Sequence, residues 1–312
     1  MNPYYSINDA LRQRYGEKLY KLTLNIGCTC PNRDGRLDTR GCIFCSLGGS
    51  GEFASNPRLS VTEQIADGKK RLSGKRPVQK YIAYFQAYTN TSAPIEYLRQ
   101  SFTEALRCPE VAILSIATRP DCLGPQVLDL LEELNCQKPV WVELGLQTAR
   151  EETAAFIRRG YDLSCFDRAV ENLKERHLET VVHVILGLPG ETKEDMLETV
   201  RYVNHAGADG IKLQLLHVLK GTDLADIYRQ TGFRTLSLEE YTDYIISCLE
   251  ICRPDLVIHR LTGDGPKDLL IAPLWSASKR HVLNTIHRKL RERNTWQGKY
   301  YISQKENENY HG

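Results

Sequence analysis

Apolar and polar positions along this chain follow two alternating periods. Short runs rich in Val, Ile and Leu, bounded by Gly, Pro, Asn or Asp, are separated by stretches with a helical repeat. The runs predict strands at 20–26, 81–86, 111–117, 140–146, 180–186 and 210–216. The intervening stretches predict helices at 60–72, 93–107, 125–135, 163–176 and 192–206. Six strands joined by helices are the pattern of βα units on a parallel sheet. The first strand is not followed by a glycine-rich phosphate-binding turn, which disfavours a dinucleotide-binding fold. The expectation is an α/β protein built on a partial (β/α)6 TIM-like barrel, with its chemistry at the C-terminal ends of the strands. Residues 1–19 read as a lead-in, and 20–230 as the barrel with a cysteine-bearing loop at 28–51. Residues 231–312 break the rhythm and read as a mostly helical C-terminal extension with a loop at 262–268.

The 312 residues are 41% apolar and 26% charged, the composition of a folded globular protein. The longest apolar runs, Val181–Leu188 and Leu213–Leu219, are far shorter than a membrane span. The N-terminus has no basic segment followed by an apolar one, so it does not read as a secretion signal. Ten cysteines suggest disulfides, but the chain is too long to need staples and most cysteines stand singly in core-like segments. A cytoplasmic protein with a few ligand cysteines is expected. The net charge is +2 but unevenly placed: Lys69, Lys70, Arg71, Lys75, Arg76 and Lys80 form one basic stretch, and 279–293 carries six basic residues against Glu292. A polyanionic partner is one reading of these stretches, and a solvated surface is the other.

The densest chemistry is Cys30-x11-Cys42-x2-Cys45, with Cys28 two residues upstream. Three cysteines leave one position open on a four-iron cluster. Zinc competes for the same spacing and would want Cys28 as a fourth ligand, although the single-residue spacer makes that awkward. Phe44, inside the pair, would shield a cluster from water. Polar residues collect at the predicted strand ends. Gln86, Thr89 and Asn90 follow the second strand, Thr118 and Arg119 the third, and Glu143 and Gln147 belong to the fourth. The turn Gly187-Leu-Pro189-Gly-Glu191 follows the fifth, and Lys212 and Gln214 share one face of the sixth as candidate substrate contacts. Each has a plainer reading: turn chemistry for Thr89 and Asn90, an internal salt bridge for Glu143, and an ordinary βα turn for 187–191. His183 reads as structural, and His217, at the C-terminal end of the sixth strand, as a weaker candidate for substrate contact. His259, Arg260, Trp275, Lys279 and Arg280 suit stacking and phosphate contact with a single-stranded nucleotide, or an amphipathic helix packed on the barrel. Cys248 and Cys252, on an apolar helix face, read as core thiols.

Six stretches carry a family resemblance: Cys30-Pro-Asn-Arg-Asp-Gly35, Gly41-Cys-Ile-Phe-Cys45, Tyr84-Phe-Gln-Ala-Tyr-Thr-Asn90, Ala117-Thr-Arg-Pro-Asp121, Glu143-Leu-Gly-Leu-Gln147 and Gly187-Leu-Pro-Gly-Glu191. In these the chain resembles radical S-adenosylmethionine (SAM) enzymes of the Elp3-like branch, in the group containing the YhcC and YtqA proteins. The resemblance implies a radical SAM barrel whose [4Fe-4S] cluster is held by Cys30, Cys42 and Cys45, with Cys28 a bystander. It implies SAM on the open iron, near Gln86, Thr89, Asn90, Thr118, Arg119, Glu143, Gln147, Gly187 and Pro189. Reductive cleavage to a 5′-deoxyadenosyl radical would need an electron donor such as flavodoxin or ferredoxin. Substrate would face Lys212, Gln214, His259 and Arg260. The substrate implied is the tRNA anticodon region, with carboxymethylaminomethyl-(2-thio)uridine at the wobble position converted towards aminomethyl-(2-thio)uridine. Residues 231–312 are too few for an acetyltransferase domain like that of Elp3. The competing readings are a radical SAM enzyme acting on a non-RNA small molecule, and a zinc- or cluster-stabilised RNA-binding protein without catalysis.

Overall fold

Burial on both faces explains why the strands read as near-continuous apolar runs. The computed structural model describes residues 2–49, 51–72, 79–263 and 265–302. In chain order its strands are β1 (Tyr20–Leu24), β2 (Tyr81–Phe85), β3 (Val111–Thr118), β4 (Val140–Gln147), β5 (Glu179–Leu186), β6 (Gly210–Leu215), β7 (Val218–Leu219), β8 (Val257–Arg260) and β9 (Leu270–Ala272). The helices are α1 (Ile7–Tyr15), α2 (Val61–Leu72), α3 (Ile95–Arg107), α4 (Pro125–Asn135), α5 (Glu151–Phe156), α6 (Leu163–Glu175), α7 (Lys193–Ala206), α8 (Asp223–Thr231), α9 (Leu238–Ile251) and α10 (Lys279–Glu292). The main sheet has the order β1-β2-β3-β4-β5-β6-β8, and every neighbouring pair is parallel. It is an open, partial barrel. A short antiparallel ribbon, β7 with β9, stands beside it.

Strand alternation separates two environments. Leu22, Leu24, Phe85, Leu114, Ile116, Val142, Leu144, Val182, Val184, Ile211 and Leu213 face outward and pack with Leu98, Phe102, Leu131, Phe166, Val170 and Val200 of the helices. Between them on the strands stand Lys21, Tyr84, Ser115, Glu143, His183 and Lys212, which bond to one another inside the barrel. Below this polar layer, Leu11, Leu19, Ile82, Ile113 and Trp141 form a separate apolar cluster at the N-terminal end of the strands. Helices α1, α7 and α9 each start with a capping box, Ser6 with Asp9, Thr192 with Asp195 and Ser237 with Glu240.

Two features depart from the sequence expectation. The extension contributes a seventh strand, β8, which adds in parallel to β6 through Val257 opposite Gly210 and Ile258 opposite Ile211. Its four residues are too few to show a period. The lead-in holds α1, and Ser6 bridges to Ile258 beyond it. The rest of the extension shares the barrel's own core through Tyr241, Ile245, Cys248, Leu249, Cys252, Val282 and Ile286, and both Cys248 and Cys252 are fully buried. Among the described residues no helix is long and apolar enough to cross a membrane.

Candidate active site

The cysteine loop is braced by its own turns and by the segment after α5. Arg33 and Asp34 donate backbone N–H groups to the Cys30 carbonyl at 2.7 and 3.1 Å, and Cys45 N–H reaches the Cys42 carbonyl at 3.0 Å. The Arg33 guanidinium lies across the loop and donates to the carbonyls of Cys45 and Ser46, both at 2.8 Å. Gly41 permits this, since a Cβ there would stand 2.7 Å from Arg33 Nε. Asn32 is buried, and its Nδ2 reaches the Arg158 carbonyl at 2.7 Å and Cys42 Sγ at 3.4 Å.

These contacts set the thiol chemistry. Cys42 is lowered to about 6 by its hydrogen bond with Cys45, working against burial, with the Asn32 amide and the charges of Arg119 and Arg33 adding to the effect. Its partner Cys45 is pushed up by the same bond and by burial. Cys28 differs: it is buried among Leu24 and Ile26 in the barrel core, and burial raises it to about 11.

Cys30, Cys42 and Cys45 border one cavity of about 420 Å³ at the C-terminal ends of the strands. Among the described residues no three His, Cys, Asp or Glu side chains are grouped to hold a single metal ion. Three thiols on one cavity, with an amide and guanidinium groups behind them, fit three-point attachment of a four-iron cluster better than a closed zinc site. A cluster held this way would supply the electron for SAM cleavage from its open side.

The floor of the same cavity is a charged network centred on Glu143, whose side chain is fully buried. Its Oε1 accepts from Ser115 Oγ at 2.7 Å and Lys21 Nζ at 2.8 Å, and its Oε2 from His183 Nε2 at 2.8 Å and from Lys212 Nζ. Lys212 also reaches the Tyr84 hydroxyl at 3.2 Å. Both ammonium groups sit over the Tyr84 ring, Lys21 at 4.4 Å and Lys212 at 4.6 Å from its centre. Burial works to raise the Glu143 pKa, but Lys21, Lys212 and His183 outweigh it and hold the carboxyl well below its ordinary range. Burial lowers His183 to about 4, so the imidazole is neutral. A neutral ring that donates from Nε2 to Glu143 accepts at Nδ1, where Gln214 Nε2 stands 3.4 Å away.

Gln86, Thr89, Thr118, Arg119 and Gln147 line the cavity with the cysteines, while Lys212, Gln214 and Arg260 line it with Glu143. Gln147 has left-handed backbone, with φ 68°, and its buried Oε1 has no hydrogen-bond partner among the described residues. Arg119 already pairs with Asp121 at 2.7 and 2.9 Å and donates to the Arg159 carbonyl at 3.0 Å.

Other expected residues lie elsewhere. Asn90 uses its amide to tie β2 to β3, donating to the carbonyls of Phe85 and Ala117 at 3.0 Å each. Glu143 is not an acceptor for a ribose hydroxyl here, because protein donors fill its four acceptor positions. His259 packs edge-on against Trp141, with ring centres 5.1 Å apart, rather than lining the cavity. Gly187 and Pro189 also lie outside the lining; a Cβ on Gly187 would meet Leu236 at 3.0 Å, so packing demands the glycine. Trp275 donates its indole N–H to the Leu236 carbonyl at 3.0 Å and packs on Tyr241, so it is not displayed for base stacking. In the basic stretches, Lys69 pairs with Glu110, Lys289 with Asp243 and Glu239, and Arg293 with Asp243. Arg280, Arg288 and Arg291 are exposed, and Lys75, Arg76 and Asp264 lie outside the described residues.

Lys21, Tyr84, Ser115, Asn32 and the buried Arg159 also build the site without standing out in the sequence. Their signal was faint but present: Lys21, Tyr84 and Ser115 are polar side chains in otherwise apolar strand segments, which is costly without partners. Arg159 donates to the carbonyls of Thr148 and Tyr161 at 2.8 Å each and pairs with Glu151.

This barrel, with three cysteines at its mouth, defines the class. The family model for the radical SAM superfamily matches residues 25–203, and that for the Radical_SAM C-terminal domain matches 208–292. The chain belongs to the radical SAM superfamily. It is 44% identical to the uncharacterized protein YtqA of Bacillus subtilis over 298 residues, covering 96% of this chain and 92% of that protein. It is 26% identical over 179 residues to the tRNA uridine(34) acetyltransferase of Methanocaldococcus jannaschii, covering 55% of this chain but 32% of that protein. The fold is like that of the archaeal Methanocaldococcus infernus Elp3, with a TM-score of 0.68, 17% identity, and coverage of 89% of this chain and 64% of that one.

Proposed function

We propose that this protein is a tRNA-modifying radical SAM enzyme that converts carboxymethylaminomethyl-(2-thio)uridine at the wobble position towards aminomethyl-(2-thio)uridine. The observation that carries this reading is one cavity bordered both by Cys30, Cys42 and Cys45 and by the polar floor at Lys212, Gln214 and Arg260. A relative named for tRNA uridine(34) and the likeness to an Elp3 structure support an RNA substrate. Gln86, Thr89, Thr118, Arg119 and Gln147 are the proposed SAM contacts. Cleavage of SAM supplies a 5′-deoxyadenosyl radical, with flavodoxin or ferredoxin as the proposed class of electron donor. Hydrogen abstraction from the methylene between amine and carboxylate would leave a radical stabilised by both neighbours; loss of one further electron, to the oxidised cluster, would give an imine that water splits into the aminomethyl group and a two-carbon aldehyde acid.

The test is an anaerobic reaction of reconstituted protein, reductant and SAM with bulk tRNA from cells blocked at the carboxymethylaminomethyl stage. Deoxyadenosine and nucleosides are followed by mass spectrometry. The expected result is tRNA-dependent deoxyadenosine with new aminomethyl nucleoside. SAM cleavage with unchanged tRNA would sink the wobble-uridine assignment and favour a small-molecule substrate.

A further inference from the structure

We propose that the cavity floor is a receptor for a carboxylate on the substrate, with Lys212 as its direct partner. The inference rests on the functional reading above and identifies how this site selects within it. Titratable and charged groups reach the floor from five strands: Lys21 on β1, Tyr84 on β2, Glu143 on β4, His183 on β5 and Lys212 on β6, with Arg260 and His259 acting on it from β8. Burial keeps Tyr84, His183 and His259 neutral. Two ammonium groups therefore share one carboxylate.

Glu143 has no acceptor position left, so a cationic or donor-bearing ligand finds no partner there. An ammonium has three donors, and Glu143 and Tyr84 take two of those on Lys212. Burial, aided by Lys21 and Arg260, pulls Lys212 well below the ordinary lysine range against the opposing effect of Glu143. A second anion beside Lys212 would oppose that pull and favour its ammonium form. The Lys212 side chain is only 4% exposed, inside the open barrel. That burial suits a carboxylate at the end of a chain better than a backbone phosphate flanked by two riboses.

The experiment uses the cluster-loaded protein with SAM and two anticodon stem-loop RNAs. One bears carboxymethylaminomethyluridine at the wobble position, and the other bears the same group capped as its amide. Calorimetry measures the affinity of each. The acid is expected to bind at least tenfold tighter than the amide. Lys212→Met should reduce the preference to within twofold, and Lys212→Arg should restore it. Equal affinity of the two RNAs for the unaltered protein overturns the proposal, with no dependence on how any variant folds. Equal loss of both ligands to millimolar inorganic phosphate would also overturn it, because the site would not be selective for the carboxylate. Acid-selective binding without conversion of the nucleoside would leave the receptor standing and sink the reaction. Conversion without acid preference would do the reverse, and binding of neither RNA would overturn both.

Discussion

Asn32 Nδ2 stands 3.4 Å from Cys42 Sγ while the same amide holds the Arg158 carbonyl at 2.7 Å. One side chain thus fixes the cysteine loop to the turn at 158–160 and places an N–H on the sulfur of Cys42, a proposed cluster ligand. Hydrogen bonds to cluster sulfurs favour the reduced, more negative state. Asn32→Ala should therefore retain the cluster by iron and sulfide analysis but lower its midpoint potential in a titration followed by electron paramagnetic resonance. An unchanged potential would contradict this role. Gly160 belongs to the same joint: φ is 82°, and a Cβ there would stand 2.7 Å from Asn32 Oδ1. Gly160→Ala should destabilise the fold by about 1–3 kcal/mol in urea melts.

Glu143 is the electrostatic keystone of the barrel interior. Glu143→Ala leaves Lys212 and the partly exposed Lys21 without their carboxylate, and should cost about 3–5 kcal/mol, nearer the lower figure because Lys21 reaches solvent. The pH dependence has a definite sign. A carboxylate held below its ordinary pKa contributes stability that is fully present above the unfolded value, roughly 4.3. The contribution fades as pH falls from there towards the folded value. Urea melts between pH 7 and pH 3 should show wild type and Glu143→Ala converging at the acid end, and parallel curves would contradict the assignment.

The strands and most helices were legible because their apolar runs are long enough to carry a period. Helix α4 spans 125–135, as its pattern predicts, and α6 differs from expectation by one residue at its end. Four-residue β8 offers no such period, and only its pairing with β6 makes it a strand. Glu143 was conspicuous as a carboxylate in an apolar strand, but its partners Lys21, Ser115, His183 and Lys212 come from four other strands. Choosing between a ribose and a salt bridge needed the sheet register, which no local pattern contains. Asn90 and Trp275 show the same limit: a polar group at a strand end or on a helix looks alike in sequence whether it bonds backbone or ligand.

Glu191 provides a second pH-dependent effect of opposite sign. Burial raises it to about 7, against hydrogen bonds from Thr148 and Thr153 that favour the carboxylate. The folded state therefore holds a proton that the unfolded state has released between about pH 4.5 and 7, and stability falls as pH rises through that window. Glu191→Gln should remove this slope and stabilise the protein at pH 8 by on the order of 2 kcal/mol. Identical thermal melting profiles from pH 5 to pH 8 would contradict this.

Cys28 separates the proposed three-cysteine cluster site from a closed zinc site. Cys28 is in the apolar core, whereas Cys30, Cys42 and Cys45 border the cavity. The most direct measurement is deoxyadenosine formation from SAM under anaerobic reduction, alongside iron content, for wild type, Cys28→Ala, Cys30→Ala, Cys42→Ala and Cys45→Ala. The prediction is a four-iron cluster and SAM cleavage in wild type and Cys28→Ala, with both lost in the other three. Loss of the bound metal in Cys28→Ala, or zinc in place of iron with no SAM cleavage by the wild type, would contradict it.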